Sequence, residues 1–258
     1  MDKETRAAAM ARLRAALGNA QGLSGLAYAY GSAERLFDCY LRCGGVRFDA
    51  AKAEKRVLST LQFRREQGLE DHDLDVHSKF EEHPVRQHFS TAFAPTAPDG
   101  CVVQYTRLAG LRPRFLMDSF SADDLRRFMA LWLETSLRMQ GDSTRARQEP
   151  CLGVYDVYDA QDFKFSTLLR DTSATRALAR LLSMGEEHFP ENLHKCFVIN
   201  APAIAGLVWK LLKPALTAET GRKVQISSSV PKELQQALGG DEGVKAMLAS
   251  LPPSTPDP

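Results

Sequence analysis

One stretch constrains the fold more than any other. From His188 to Ser229 the chain reads HFPENLHKCFVINAPAIAGLVWKLLKPALTAETGRKVQISSS. Lys195 to Asn200 (KCFVIN) is a short apolar run rich in β-branched residues, a buried strand by length and content. Arg222 to Ser227 (RKVQIS) alternates and reads as a second strand. Between them Pro202 to Leu212 reads as a helix, and strand, helix and strand make a βαβ-type unit within a sheet. The helix is unusual: Ile204, Leu207, Val208, Trp209, Leu211 and Leu212 place apolar groups all round, with Lys210 the exception. Such a helix is either buried on all sides in the core, or buries one side in protein and the other in something greasy. It is far too short to span a bilayer.

The remaining chain supplies a frame for that unit. Residues 2–17 form an Ala-rich helix with Met10, Leu13 and Leu17 on one face; a transit peptide is a minor alternative. Gly18 to Gly31 reads as linker. Ser32 to Arg42 is a helix with Leu36, Phe37, Tyr40 and Leu41 inward. Asp49 caps another that runs to about Gly68 with Ala50, Ala53, Val57, Leu58 and Leu61 inward. Asp99-Gly100 and Cys101 to Arg107 make a turn and strand. Ser121 opens a helix with a capping-box pattern that runs to about Met139, burying Leu125, Phe128, Met129, Trp132, Ser136 and Met139. Asp142 to Gln148 reads as a charged loop, and Cys151 to Val157 as a strand. Thr172 to Glu187 is a helix turning Leu178, Leu181, Leu182 and Phe189 inward. Pro231 to Leu238 is a short helix, and the tail LPPSTPDP is loose.

With 33 basic and 32 acidic residues the net charge of +1 gives no footprint for nucleic acid. Five cysteines, scattered and odd in number, read as free thiols in a reducing compartment. Cys39 and Cys43 lie one helical turn apart without a second pair to complete a zinc site. His72, His77, His83 and His88 stand among carboxylates in a polar segment, but their spacing matches no ligand motif, and a solvated surface is the stronger reading. No nucleophile elbow, P-loop or dinucleotide fingerprint is present. His188 near Glu191 reads as a surface pair at a helix-to-strand turn. The expectation is therefore a non-enzyme with no metal and no cofactor.

FPE, a strand ending in INAP, a helix through WKLLKP, then a Thr, a Lys and a strand closely resemble the CRAL-TRIO family of lipid-binding and lipid-transfer proteins. LFDCYLRCGGVRFD and TLQFRREQG resemble the family's N-terminal helices, with an enlargement at Gly44-Gly45 and Phe63 where Trp is usual. The Asp99-Gly100 strand, followed by Gly110, fits as well. The resemblance covers residues 32–240 and implies an α/β fold: an N-terminal helical unit, then a mostly parallel sheet flanked by helices, with a hydrophobic lipid pocket closed by a gate helix. The implied divisions are residues 1–31 (helix and linker), 32–70 (helical unit), 71–240 (lipid-binding domain) and 241–258 (C-terminal tail).

In that family the helix matching Pro202 to Leu212 is a mobile gate. Phosphatidylinositol-binding members use residues that match Glu191, Thr220 and Lys223, and the basic pair Arg64-Arg65 joins the same implied headgroup network. Lys223 would offer charge to a phosphate while Glu191 and Thr220 bind hydroxyls or orient the lysine; a structural salt bridge between Glu191 and Lys223 is the second reading. Asn192 stands where phosphatidylinositol binders often carry Arg. The apolar floor is expected from Val102, Val103, Leu152, Val154, Phe197, Ile199, Val224 and Ile226, a minority of them facing a cavity. The implied function is a cytoplasmic, peripherally membrane-associated carrier that exchanges phosphatidylinositol or phosphatidylcholine. The alternatives are a carrier of a smaller hydrophobe, such as a tocopherol or retinoid, and a non-catalytic scaffold or sensor with a degenerate pocket.

Overall fold

In the computed structural model residues 3–43 and 46–251 are described; the Gly44-Gly45 enlargement and most of the expected loose tail, residues 252–258, lie outside them. The helical part comprises α1 (Lys3–Leu17), α2 (Leu23–Ala29), α3 (Ala33–Arg42), α4 (Ala50–Glu66) and α5 (Val76–Glu81). The sheet part follows with β1 (Ser90–Ala94), β2 (Val102–Arg107), α6 (Pro113–Ser119), α7 (Ala122–Arg147), β3 (Val154–Asp159), α8 (Phe165–Arg170) and α9 (Thr172–His188). It ends with β4 (Leu193–Ile199), α10 (Ala205–Leu212), α11 (Ala218–Arg222), β5 (Val224–Ile226), α12 (Lys232–Ala237) and α13 (Asp241–Ala249). The five strands lie in the order β1-β2-β3-β4-β5, with β1 antiparallel to β2 and all other pairs parallel. The expected α/β fold with a mostly parallel sheet is therefore present. The edge strand β1 is an addition to it.

Local chemistry sets the boundaries. The Asp49 carboxylate accepts from the Ala51 and Lys52 amides at the start of α4. Ser121 and Asp124 form a reciprocal capping box at the start of α7. α7 then runs through the segment expected to be a charged loop, because Asp142 and Arg147 lie on its solvent side while Leu137, Gln140 and Gly141 are buried.

The expected linker is also corrected. Its residues form α2, and Leu26, Ala29 and Tyr30 are buried against α7. Glycine here permits contact rather than freedom: a Cβ on Gly25 would stand 2.4 Å from the Glu70 carbonyl oxygen, and one on Gly141 of α7 would stand 2.5 Å from that of Ala29. Two expected inward residues point outward. Leu58 is exposed on α4, and Leu152, expected in the sheet floor, is 58% exposed ahead of β3, which begins only at Val154.

Period-two alternation gives the sheet two unlike faces. On one, Val103, Tyr105, Val157, Phe197 and Ile199 pack against Leu234 of α12 and Met247 of α13. The other faces α6 to α10 across a cavity.

Candidate ligand-binding site

The cavity encloses about 390 Å³. Its roof is α10, which turns Ala205, Val208, Trp209 and Leu212 toward it at helical spacing, while Leu207 and Leu211 on the outer side are 51% and 52% exposed. Of the two readings of the apolar helix, burial in the core on all sides is thereby excluded. Leu178, Leu181 and Leu182 of α9 and Leu125, Met129 and Trp132 of α7 line the walls, so several side chains expected in a filled core border a void instead. Of the expected floor residues Val154, Val224 and Ile226 line the cavity, the minority anticipated.

Polar side chains share that floor. Gln104 and Thr106 of β2, with Asp156 and Tyr158 of β3, line the cavity between the apolar walls. Gln104 Nε2 donates to Asp156 Oδ1 at 2.9 Å. Burial pushes the Asp156 carboxyl up to about 6 despite hydrogen bonds from Tyr158 and Gln104 that favour its charged form. Burial, with Asp156 adjacent, also pushes the Tyr158 hydroxyl and the neighbouring Cys196 thiol well above their ordinary values. The buried indole N–H of Trp132 has no hydrogen-bond partner among the described residues. Sequence reasoning missed this strip; the signal was the polar phase of CVVQYTR, which puts Gln104 and Thr106 on one strand face.

Glu191, Thr220 and Lys223 come together at one edge of the cavity. Lys223 Nζ donates to the Leu193 carbonyl at 2.9 Å and lies 3.5 Å from Glu191 Oε2. That loose pair leaves donor capacity for a further anion. The Thr220 amide donates to Thr217 Oγ1, and the two threonine hydroxyls are 3.2 Å apart. Thr217, which also lines the cavity, was not singled out from sequence. Asn192 is buried between Ser136 and Gln140 of α7, to which its side chain hydrogen bonds. A bridging role between helix and sheet therefore accounts for an amide at this position.

Arg64 and Arg65 stand apart from the cluster. Arg64 is buried and pairs with the equally buried Glu134 of α7, which also holds Arg138 at 2.8 Å. A carboxylate without water needs such partners, and they claim the guanidinium. Arg65, one residue on and turned about a quarter of the helix away, is exposed beside Glu70 and Gln62. The cation that α4 does bring to the lining is Arg56, two turns earlier, donating to the Glu187 carbonyl at 3.2 Å and the Cys43 thiol at 3.2 Å. His188 corrects another expectation: it is buried rather than a surface partner of Glu191, and stacks on Phe63 with centroids 4.1 Å apart.

No helix among the described residues is long and apolar enough to cross a membrane. The fold is similar to the crystal structure of Sfh5, with a TM-score of 0.65 at 12% identity over 98% of this chain and 92% of that one. The chain is 26% identical to the SEC14 cytosolic factor of Eremothecium gossypii over 198 residues, 74% of this chain and 62% of the relative. It is 24% identical to the phosphatidylinositol/phosphatidylcholine transfer protein SFH7 of Arabidopsis thaliana over 199 residues, 76% of this chain and 36% of that protein. A CRAL-TRIO domain-containing protein of Caenorhabditis elegans is 21% identical over 74% of this chain and 26% of its own length. The chain thus spans from about a quarter to less than two-thirds of these relatives. Residues 95–243, more than half of the chain, match the CRAL/TRIO domain, and the chain belongs to that family.

Proposed function

We propose that the chain binds a single lipid in the cavity and exchanges it at membranes, with phosphatidylinositol the first candidate and phosphatidylcholine the second. The observation that carries this reading is the joint presence of an apolar cavity and, at its edge, Lys223 with spare donor capacity beside Glu191 and Thr220. Apolar walls supply affinity: each methylene taken from water is worth about 0.8 kcal/mol, so an acyl chain gains on the order of 10 kcal/mol before ordering costs. Selectivity comes from placed polar groups. Lys223 meets a headgroup phosphate; Glu191 and Thr220 meet its hydroxyls. Relatives named as phosphatidylinositol/phosphatidylcholine transfer proteins support the choice.

Release needs an exit, and α10 is the gate. Its inner side covers the ligand, and its outer leucines offer apolar area to a bilayer, so membrane contact favours the open form. The protein works as a peripheral membrane visitor without a cofactor.

The test is mass spectrometry of lipids extracted from the purified native protein beside Lys223→Ala. Phosphatidylinositol in the first and its loss from the second is the expected result. A small hydrophobe retained by both proteins would place a tocopherol- or retinoid-like ligand in the cavity and remove the headgroup role. No ligand in either would leave a scaffold with a degenerate pocket.

A further inference from the structure

At the N-terminal ends of the parallel strands lies a cluster with no part in the cavity. Asp99 sits in the turn before β2, Cys101 directly before that strand, and His194 in β4. One carboxylate oxygen, the cysteine sulfur and one ring nitrogen all lie within 4.8 Å of one another. β3 separates β2 from β4 in the sheet, yet the residue just ahead of it is Gly153, where a Cβ would stand 2.7 Å from the His194 amide nitrogen and 2.8 Å from the Asn192 carbonyl oxygen. The missing side chain lets the three groups converge across the intervening strand.

The cluster is preorganised. Asp99 Oδ1 accepts from the Cys101 amide at 2.9 Å and Oδ2 from the Tyr155 hydroxyl at 2.8 Å. The Tyr155 ring also packs edge-on against His194, centroids 5.1 Å apart. Among the described residues neither ring nitrogen of His194 has a hydrogen-bond partner, so its donor atom is uncommitted. Cys101 is fully buried while Asp99 is exposed and His194 half-buried, which leaves an approach from solvent. The nearby Cys151 thiol is committed elsewhere, donating to the Gly153 carbonyl at 3.5 Å.

We propose that Asp99, Cys101 and His194 form a zinc-class divalent cation site, with solvent in the fourth position. Thiolate, imidazole and carboxylate are the donors that a borderline-soft, tetrahedral ion takes, whereas calcium and magnesium require an all-oxygen shell. One thiolate and one carboxylate balance the two positive charges, and the thiol proton leaves to solvent on binding. Bound there, the ion clamps the starts of β2 and β4 across β3. Cys101 and Tyr155 belong to the apolar layer behind the sheet, so the site stands independently of what the cavity holds.

The experiment is titration of the reduced, metal-stripped full chain with cobalt(II) chloride, followed by zinc chloride. Expected are saturation at one equivalent, a thiolate-to-cobalt charge-transfer absorption with tetrahedral visible bands, and displacement of both by zinc. Cys101→Ser abolishes the charge-transfer absorption. Asp99→Asn and His194→Gln weaken cobalt affinity at least tenfold, since loss of a supporting group alone costs about 10–100-fold. Cys151→Ser keeps the absorption. Circular dichroism checks each variant's fold; if Cys101→Ser unfolds, the Asp99 and His194 variants, at more open positions, carry the test. Absence of charge-transfer absorption in the wild type overturns the proposal. So does absorption that persists unchanged in Asp99→Asn and His194→Gln, or that vanishes only in Cys151→Ser.

Discussion

The two faces of one sheet use alternate residues of the same strands in opposite ways. On β4, Phe197 and Ile199 are fully buried in a layer closed by α12 and α13, while Cys196 and Val198 look into the cavity. On β3, Val157 is fully buried in the filled layer, while its neighbours Asp156 and Tyr158 bring ionisable groups to the other side. Close packing stabilises the first face. The second keeps a void and buried polar groups, both of which cost folding stability and suit a ligand. A single alternating strand can thus hold the fold together with its odd residues and leave its even ones to binding.

The largest expected effect falls on the filled face. Phe197→Ala should destabilise the protein by about 4 kcal/mol, the transfer loss plus the new cavity. Val198→Ala, its neighbour on the open face, should cost only about 1 kcal/mol, because the void beside it already exists. Urea denaturation of both variants measures the difference. Similar losses would mean that the two faces are equally packed, and the comparison would break.

Asp156 sharpens the contrast electrostatically. Its folded-state value of about 6 lies above the ordinary aspartate value of about 4. Below the lower value the carboxyl is protonated in both states and costs nothing. Between the two the folded protein holds the extra proton, so stability falls as pH rises, and above the upper value the penalty is constant at roughly 3 kcal/mol. Asp156→Asn should remove that fall and leave the variant the more stable protein at pH 7, with no advantage at pH 3.5. Thermal unfolding across this range decides it. A variant less stable than wild type at pH 7 would show that the carboxylate is satisfied in its charged form.

Local patterns were legible in the sequence, and long-range pairings were not. β4 and α10 could be read because a strand's run and a helix's all-round apolarity lie within a few residues, and Glu191 with Lys223 came from a motif that spans the same unit. Gly25 and Gly141 belong to different helices and meet backbone that only the fold supplies, so a packed helix read as linker. The late charges of α7 looked like a loop because charge marks exposure, and an exposed face is equally a helix's outer side. Arg64 entered the implied headgroup network through the family resemblance, and its buried pairing with Glu134 was hidden because that partner is distant in the chain. Asp99 and His194 escaped for the same reason, and the cavity was expected from the family resemblance alone, because the spacing of Leu178 and Leu182 reads the same in a filled core as in a lining.

The smallest expected change in stability is at the cavity roof. Leu207 and Leu211 already stand half in water, so replacing both with Ser should alter unfolding free energy by no more than about 0.5 kcal/mol each. If α10 is the gate and its outer side enters the bilayer, the same double variant should bind phospholipid vesicles roughly thirtyfold more weakly, since each leucine forfeits on the order of 1 kcal/mol of further burial. Vesicle sedimentation beside urea denaturation separates the two quantities. Unchanged vesicle binding would remove the outer side of α10 from the membrane contact and leave its apolarity without a role. A large loss of stability would mean instead that the roof packs as tightly as the layer behind the sheet, and that the cavity is closed by a fixed wall.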